Sequence, residues 1–418
     1  MPDTLSNDGM SSKRLLLLAA TTGYQTQSFA DAARLLGLDM VMATDRCHVL
    51  DDPWGDHAVA VRFEDPEAAA VELCQLAPPP GAIVAIGDRP TSIAALVAER
   101  LGLRYHSPDA VAACRNKFLA RERFRAAGLP VPRFVRVPLE GGVNSIGYPC
   151  VLKPLGLSGS RGVIRANDDS EFAAAFSRIR AILQSPEIVR MHEGQDRFIQ
   201  VEEFIEGREF ALEGIVTAGR LQTLAIFDKP DPLDGPYFEE TIYLTPSSEP
   251  GQQRLIAATQ SAITALGLTH GPIHAEMRLN DAGVWMLEVA ARPIGGLCAR
   301  ALRFGDGAMS LEELILRHAI GEDVSGLKRE SAASGVMMIP IPRNGIYQGV
   351  RGVAEAVAFA DVVITAKEGQ RLQRLPEGNS YLGFLFSRGT QPGQVEEALR
   401  RAHGQLQFEI AQQLKVVR

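Results

Sequence analysis

Short apolar runs and amphipathic stretches alternate over roughly the first hundred residues. RLLLLAA (14–20), LDMVMAT (38–44), AVAVRF (58–63) and AIVAIG (82–87) have the continuous apolar character of strands buried on both faces. Between and after them, Gln25–Leu36, Pro66–Leu76 and Arg89–Leu101 have helical spacing. This order predicts a parallel sheet covered by helices, a Rossmann-like α/β unit over 13–106. The turn after the first strand, Ala20-Thr21-Thr22-Gly23, is not GxGxxG, so dinucleotide binding is not predicted there. Asp88 falls at a strand's carboxyl end, where open α/β sheets place ligands, and its ordinary reading is a helix cap before Arg89-Pro90. SPDAVAACRNKFLARERFRAAG (107–128) predicts one helix capped by Ser107, with Pro108 in its first turn, Lys117 mid-helix and Gly128 beyond its end. Pro130-Val131-Pro132 reads as a linker.

A smaller unit is expected over about 133–200. YPCVLKP (148–154) is a strand ending in Lys153, and the loop Leu155–Gly162 leads to Val163–Ala166 and a helix over Asp169–Gln184. A Gly/Ser-rich loop beside a lysine is either a flexible hairpin tip or a phosphate clamp. It is not a Walker A loop, because no Gly-Lys-Ser/Thr opens the next helix. Residues 198–228 predict three consecutive strands with turns at Glu206-Gly207 and Ala218-Gly219. Glu202 and Glu203 enter the first of these and Glu209 begins the second; such acids ordinarily lie solvated on an edge strand. The Pro/Gly/Asp-rich loop 228–241 suits an element that covers a substrate, and Gln252–Leu266 is helical.

The stretch from Pro272 to Arg292 predicts a hairpin with a three-residue loop, Asp281-Ala282-Gly283. That register puts Glu276 opposite Glu288 and Arg278 opposite Met286. One face carries Ile273, Ala275, Met277, Leu279, Trp285, Leu287, Val289 and Ala291. The other carries His274, Glu276, Arg278, Val284, Met286, Glu288, Ala290 and Arg292. Opposed carboxylates lie roughly 4.5–5.5 Å apart at Cβ and repel, so a positive group is expected between them. Either Arg278 and Arg292 neutralise a solvated face, or the acids hold Mg²⁺, a hard cation completed by substrate phosphates. After the hairpin come the turn Arg292–Gly296 and helices at about 297–304 and 311–320. The last part, about 326–418, predicts strands at 336–342, 362–367 and 381–389 and a helix over Gln394–Leu406, an α+β cap.

Composition narrows the class without naming a chemistry. At 418 residues the chain has room for roughly two to four domains. Its 46% hydrophobic and 22% charged residues are ordinary for a soluble globular protein, and a net charge of −7 argues against a nucleic-acid partner. Cys47, Cys74, Cys114, Cys150 and Cys298 are odd in number and widely spaced, which points to a reducing cytoplasm rather than a disulfide framework or zinc site. Lys13-Arg14 and the apolar run after it imitate a signal peptide but are too short, residues 1–12 are expected to be disordered, and no run is long enough to span a membrane. Oligomeric state is open, a homodimer being the commonest outcome.

No single piece decides the chemistry, but their order does. Lys117 on a helix, the strand-end Lys153 with its Gly/Ser loop, Val201–Ile205 with Glu209, and the Glu276/Glu288 hairpin ending in Arg292 together resemble the ATP-grasp superfamily over about 10–325. KPLGLSGSRGV, GPYFEET, GPIHAEMRLN and EVAARPIGG look most like the bacterial L-amino-acid ligases of the bacilysin-synthetase type, and GNSYLGFLFSRG is similar to their C-terminal domain. The resemblance implies an ATP-grasp fold at 107–325 with a lid at about 133–200. It also implies ATP with Mg²⁺ or Mn²⁺, and an ADP-forming ligase that joins a small-molecule carboxylate to an amine through an acyl phosphate. Other ATP-grasp ligases, biotin-carboxylase-like or of the purine pathway, and a non-catalytic ATP-binding protein are the alternatives.

By the same resemblance, Lys117 and Lys153 contact the nucleotide phosphates while Ser158, Gly159, Ser160 and Gly162 close over them. Glu202, Glu203, Phe204 and Ile205 pair their backbone with adenine and Glu209 holds the ribose. Glu276 and Glu288 hold the metal, and Arg292 binds the transferring phosphate or acyl intermediate. His274, Glu240, Gly295 and Gly296 are the substrate-contact candidates, His274 being equally a buried structural histidine. Many ATP-grasp enzymes have Asn two residues after the second metal Glu; Ala290 stands there, which implies fewer metal ligands.

Overall fold

The computed structural model describes residues 14–20, 24–45, 57–141 and 145–412. The start expected to be disordered (1–12) and the turn Thr21-Thr22-Gly23 lie outside the described residues. The alternating pattern folds as expected into β1 (Arg14–Ala19), α1 (Thr26–Leu35), β2 (Asp39–Thr44), β3 (Ala58–Ala60), α2 (Pro66–Leu73), β4 (Ala82–Ile86) and α3 (Asp88–Leu101). The strands are all parallel in the order β3-β2-β1-β4. Asp88 is not the cap of α3. Gly87, at φ +87°, holds that position, so the Asp88 carboxylate is released from capping.

The single helix expected over 107–128 is two. α4 (Pro108–Cys114) is capped by Ser107, whose Oγ accepts from Ala110 N–H at 3.2 Å. Asn116 then takes an extended conformation and its side chain accepts from Leu119 N–H at 3.1 Å, starting α5 (Lys117–Ala126) afresh. An asparagine side chain that competes for backbone donors breaks the run. Lys117 is therefore the first residue of a helix, pinned by its own N–H to Leu155 O at 3.0 Å.

The next unit holds β5 (Phe134–Pro138), β6 (Cys150–Pro154), β7 (Ile164–Ala166), α6 (Asp169–Leu183), the short α7 (Pro186–Val189) and β8 (Phe198–Glu203). The sheet order is β5-β8-β6-β7, all antiparallel. α6 lays Phe172, Phe176, Ile179 and Leu183 on Leu152, Ile164, Ile199 and Val201. β8 is internal, so Glu202 is buried rather than solvated at an edge.

The three strands expected over 198–228 form but divide between two sheets. β9 (Arg208–Thr217) and β10 (Arg220–Asp228) join β11 (Ile242–Thr245), then, after α8 (Gln252–Leu266), β12 (His270–Asn280) and β13 (Gly283–Ala290). Beyond the hairpin lie a short 3₁₀ turn at Cys298–Ala301 and α9 (Leu311–Ala319). β14 (Ala333–Ile339), β15 (Gly345–Arg351), α10 (Val353–Ala356), β16 (Asp361–Ile364), β17 (Arg371–Leu372), β18 (Gly383–Gly389), α11 (Pro392–Gln405) and β19 (Gln407–Ala411) complete the chain. One eight-stranded sheet runs β13-β12-β9-β10-β11-β14-β18-β16, so the tail's strands continue the central sheet. β17-β15-β19 form a small separate sheet, none of whose strands was expected from the sequence. α8 covers one face of the central sheet with Leu255, Ala262 and Leu266, and α11 covers the tail with Val395, Leu399 and Ala402.

The hairpin register is part right. Glu276 opposes Glu288, but Arg278 opposes Trp285, and the loop is the two residues Asp281-Ala282. Asn280 Oδ1 accepts from Ala282 N–H at 3.0 Å and from Trp285 Nε1 at 3.1 Å, which tightens the turn. A β-bulge between Glu276 and Met277 on the partner register then restores the acid pair. Val284 and Met286 consequently join Met277 in the core, while Leu287 turns to line the cleft described below.

The crossing from the lid sheet to the central sheet depends on Gly207, at φ +128°, where a Cβ would sit 2.5 Å from Leu279 O. Gly283 has an equally left-handed φ of +143° but open space around it. Gly207→Ala should cost roughly 2–4 kcal/mol, strain plus collision, and Gly283→Ala roughly 1–2. Melting temperatures of the two variants check this; equal losses would contradict it.

Candidate active site

Between the lid sheet and the central sheet opens a cleft of about 280 Å³. Every site residue that the resemblance implies lines it except Gly162, whose N–H donates to Pro376 O at 2.9 Å.

The lid contributes a buried ionic triad. Glu202 lies on β8 between Lys153 at the end of β6 and Arg121 on α5, whose Nε donates to Glu202 Oε2 at 3.1 Å. Gln200 Nε2 adds a bond to Oε2 at 2.7 Å, and Arg121 also reaches Leu287 O on β13 at 3.0 Å. Burial alone would raise the Glu202 carboxyl, but Arg121 and Lys153 outweigh it and hold it at about 2. Burial, only partly offset by Glu202, brings the Lys153 ammonium down to about 8. Arg121 was not foreseen, although it lies four residues after Lys117 on the same helical face. The Glu203 side chain leaves the cleft for Arg133, whose Nε donates to it at 2.8 Å, so Glu203 faces the cleft through its backbone.

The Gly/Ser loop crosses above these groups with Gly159 at φ +64°, Ser160 at +55° and Gly162 at +74°, a left-handed run that keeps side chains clear of the backbone. Lys117 Nζ donates to Leu157 O at 2.7 Å and lies 3.1 Å from Glu288 Oε2. The loop is tied to the tail: Arg161 Nε donates to Glu377 O at 2.9 Å, and Arg178 pairs with the Glu377 carboxylate.

On the central sheet the positive groups expected near the acids are present as side chains. Lys229, just past β10, sends Nζ to Glu276 Oε1 at 3.0 Å, to Glu209 Oε1 at 2.8 Å and to Glu240. Burial would lower the Lys229 ammonium, yet the three carboxylates raise it well above its ordinary value. Glu276 is half-buried, and Lys229 and His274 keep it ionised, whereas desolvation and the charge on Glu276 push Glu240 up. His274 bridges Glu213, on its Nδ1, and Glu276 Oε1, 3.3 Å from its Nε2. Burial opposes its protonation, but Glu213 and Glu276 prevail and raise it to about 9. Tyr243 O–H donates to Glu240 Oε2 at 3.0 Å. Lys229, Glu213 and Tyr243 went unnoticed in the sequence, Lys229 and Glu213 because Glu276 and His274 lie 47 and 61 residues from them.

Arg292 does not neutralise the hairpin acids. It forms a two-pronged pair with Asp88, Nε to Oδ1 at 2.7 Å and the guanidinium to Oδ2 at 3.1 Å. Burial would raise Asp88, but Arg292 with Ser158 and Lys117 holds it at about 2. Arg278 likewise serves another acid, Glu209, at 3.0 Å, and spans to Ile205 O at 2.6 Å.

Residues 146–301 match the model of an ATP-grasp domain, and 337–411 match the L-amino acid ligase C-terminal domain 2. The chain carries an ATP-grasp domain followed by an L-amino acid ligase C-terminal domain. Its backbone superposes on the crystal structure of an L-amino acid ligase from Bacillus licheniformis with a TM-score of 0.81 and 26% identity, covering 97% of this chain and 100% of that one. In sequence, this ATP-grasp protein is 30% identical to alanine–anticapsin ligase of Bacillus subtilis (strain 168) over 47% of its own length and 45% of that protein's. It is 25% identical to the uncharacterized protein y4rH of Sinorhizobium fredii over 73% of its length and 63% of that protein's. The matches thus span less than two thirds of these relatives. Among the described residues, no helix is long and apolar enough to cross a membrane.

The histidine bridge has a pH signature. His274 is raised from 6.5 to about 9 in the fold, so its stabilisation is complete below about 6.5 and is lost as pH rises through about 9. Urea denaturation across pH should show the wild-type advantage over His274→Gln constant below about 6.5 and falling by up to roughly 3 kcal/mol by about 9. A gap independent of pH would contradict it.

Proposed function

We propose that this chain is an ATP-dependent carboxylate–amine ligase that joins amino acids through an acyl phosphate and releases ADP and phosphate. The observation that carries the reading is the convergence of Lys117, Lys153, the glycine-rich loop, the Glu276/Glu288 pair and Arg292 on one cleft. The matches to an ATP-grasp domain and an L-amino acid ligase C-terminal domain support it.

In this reading, a carboxylate oxygen of the first amino acid forms a bond to the γ-phosphorus of ATP as the bond from that phosphorus to the leaving ADP oxygen breaks. The amine nitrogen of the second then bonds to the acyl carbon, phosphate leaves with its electron pair, and the nitrogen loses a proton. Phosphoryl transfer of this kind is mainly positioning and electrostatics. Lys117 and Lys153 meet the phosphate chain, and Lys153 at about 8 remains largely charged at neutral pH while ready to exchange Glu202 for a phosphate oxygen. The Glu203 and Ile205 backbone receives the adenine and Glu209 the ribose. Arg292, steadied by Asp88, offers forked donors to the carboxylate and the transferring phosphate.

Oxygen donors suit a hard divalent cation, and the Glu276/Glu288 pair on adjacent strands supplies them. Glu276, together with Glu209 and Glu240, already encloses the Lys229 ammonium, which supports a preference of this corner for a cation. Glu276 and Glu288 would hold Mg²⁺ or Mn²⁺, which would supply charge neutralisation between the acids and the phosphates. Water is kept from the acyl phosphate by loops 155–162 and 228–241. The second is fastened by Arg165, which donates to Asp234 O at 2.8 Å, and by Arg278, which bonds Leu233 O.

Glu288→Gln removes a metal-binding charge without changing shape. ADP release should fall by about 10²–10³ while the thermal transition stays within a few degrees of the parent. ADP release at the parent rate would overturn the metal assignment.

A further inference from the structure

Outside the cleft, cations crowd together where the segment after the 3₁₀ turn meets the ends of β14 and β18. Arg303 and Arg388 reach the same backbone oxygen, Arg300 O, at 3.3 and 3.4 Å, and Arg388 also reaches Ala301 O at 3.3 Å. The isolated bridge between Phe304 and Arg329, with the bond from Glu330 N–H to Arg303 O at 2.9 Å, brings Arg329 alongside. Arg329 donates to Ala332 O at 2.6 Å, and Ala332 stands two residues before Ser334, which pairs with Arg388 across β14 and β18. Arg300 completes the group, its guanidinium 4.8 Å from the centre of the Phe386 ring. None of the four arginines lines the cleft.

These charges are not balanced. Glu330 pairs with Arg388, but among the described residues Arg300, Arg303 and Arg329 have no ion pair, their contacts going to backbone oxygens or an aromatic face. Glu312 feels Arg303 and Arg300, yet burial outweighs them and pushes its carboxyl up. Burial and the like charges of Arg303 and Arg329 bring the Arg388 guanidinium down, and burial brings Arg329 down. Arg303 and Arg329 are half-buried, and like charges that have lost part of their water repel more strongly unless a counter-ion joins them. Each of the two commits one terminal nitrogen, which leaves the rest of its fork for oxyanion oxygens. Ser334, fully buried on the same face as Arg388, adds a hydroxyl with no partner among the described residues. We propose that Arg303, Arg329 and Arg388 form a second binding site, apart from the cleft, for a doubly charged oxyanion of the phosphate type, with Glu330 as its built-in competitor. A phosphate dianion offers oxygens to three forks and balances the excess charge, whereas chloride has no such geometry. The site does not depend on the chemistry of the cleft.

The test is isothermal titration calorimetry of the full chain with inorganic phosphate, the ionic strength being fixed with sodium chloride. A parallel titration with glycerol 3-phosphate distinguishes free phosphate from a phosphate monoester as the occupant. At least one of the two should bind. Arg329→Gln should weaken that binding at least about tenfold, and Glu330→Gln, which removes the competing charge, should tighten it at least about threefold. The second variant keeps the test decisive if the first does not fold. A parent chain that binds neither anion, or binding that Glu330→Gln leaves unchanged, overturns the proposal. So does equal binding by the parent and a folded Arg329→Gln protein, since phosphate held only in the cleft responds to neither substitution.

Discussion

Carboxylates buried or half-buried on neighbouring strands are tolerated only where each faces a cation, and this constraint organises the molecule. Desolvating an ion costs several kcal/mol, and its partner repays that only with good geometry and further hydrogen bonds. Glu276 and Glu288 oppose one another across the β12–β13 hairpin. Lys229 and His274 take the first and Lys117 the second. Glu202, buried in the middle of the lid sheet, is met by Arg121 and Lys153. Because every lysine here is held by an acid, a phosphate chain bound as proposed would exchange partners with a preformed constellation rather than assemble one.

These pairs also decide which elements must lie together. Arg292 follows the hairpin and Asp88 opens α3, so their two-pronged bond fastens the Rossmann-like unit to the central sheet. Arg121 joins α5, β8 and β13 through Glu202 and Leu287 O. Glu377 from the tail fastens the Gly/Ser loop through Arg161 and the helix α6 through Arg178. Closure of the cleft, its charge balance and the packing of the domains thus depend on the same few side chains.

How much of this was legible in the sequence follows from the range of each interaction. Buried parallel strands, helix spacing and the acid pair are local, and β1–β4 with their helices, the α8 helix and the Glu276/Glu288 opposition stand as expected. Two local misreadings have local causes. The Asn116 side chain split one expected helix into α4 and α5, and Asn280 with the bulge shortened the hairpin loop and exchanged Val284 and Met286 for Trp285 and Leu287. What depends on distant chain was hidden. Glu202 resembled an edge residue because nothing near it announces that β8 is internal. Arg292 was open between neutralising its own hairpin and binding a phosphate, and nothing near it announced that its partner, Asp88, lies in the first domain. Lys229 sits in a loop that gave no hint of the three acids converging on it.

The most direct measurement is a crystal structure of the full chain with Mn²⁺ and a non-hydrolysable ATP analogue, with the ion located by its anomalous signal. The account predicts one manganese peak within coordinating distance of both Glu276 and Glu288, with the triphosphate between Lys117 and Lys153. A peak away from both acids, or a nucleotide lodged outside the cleft, would contradict it.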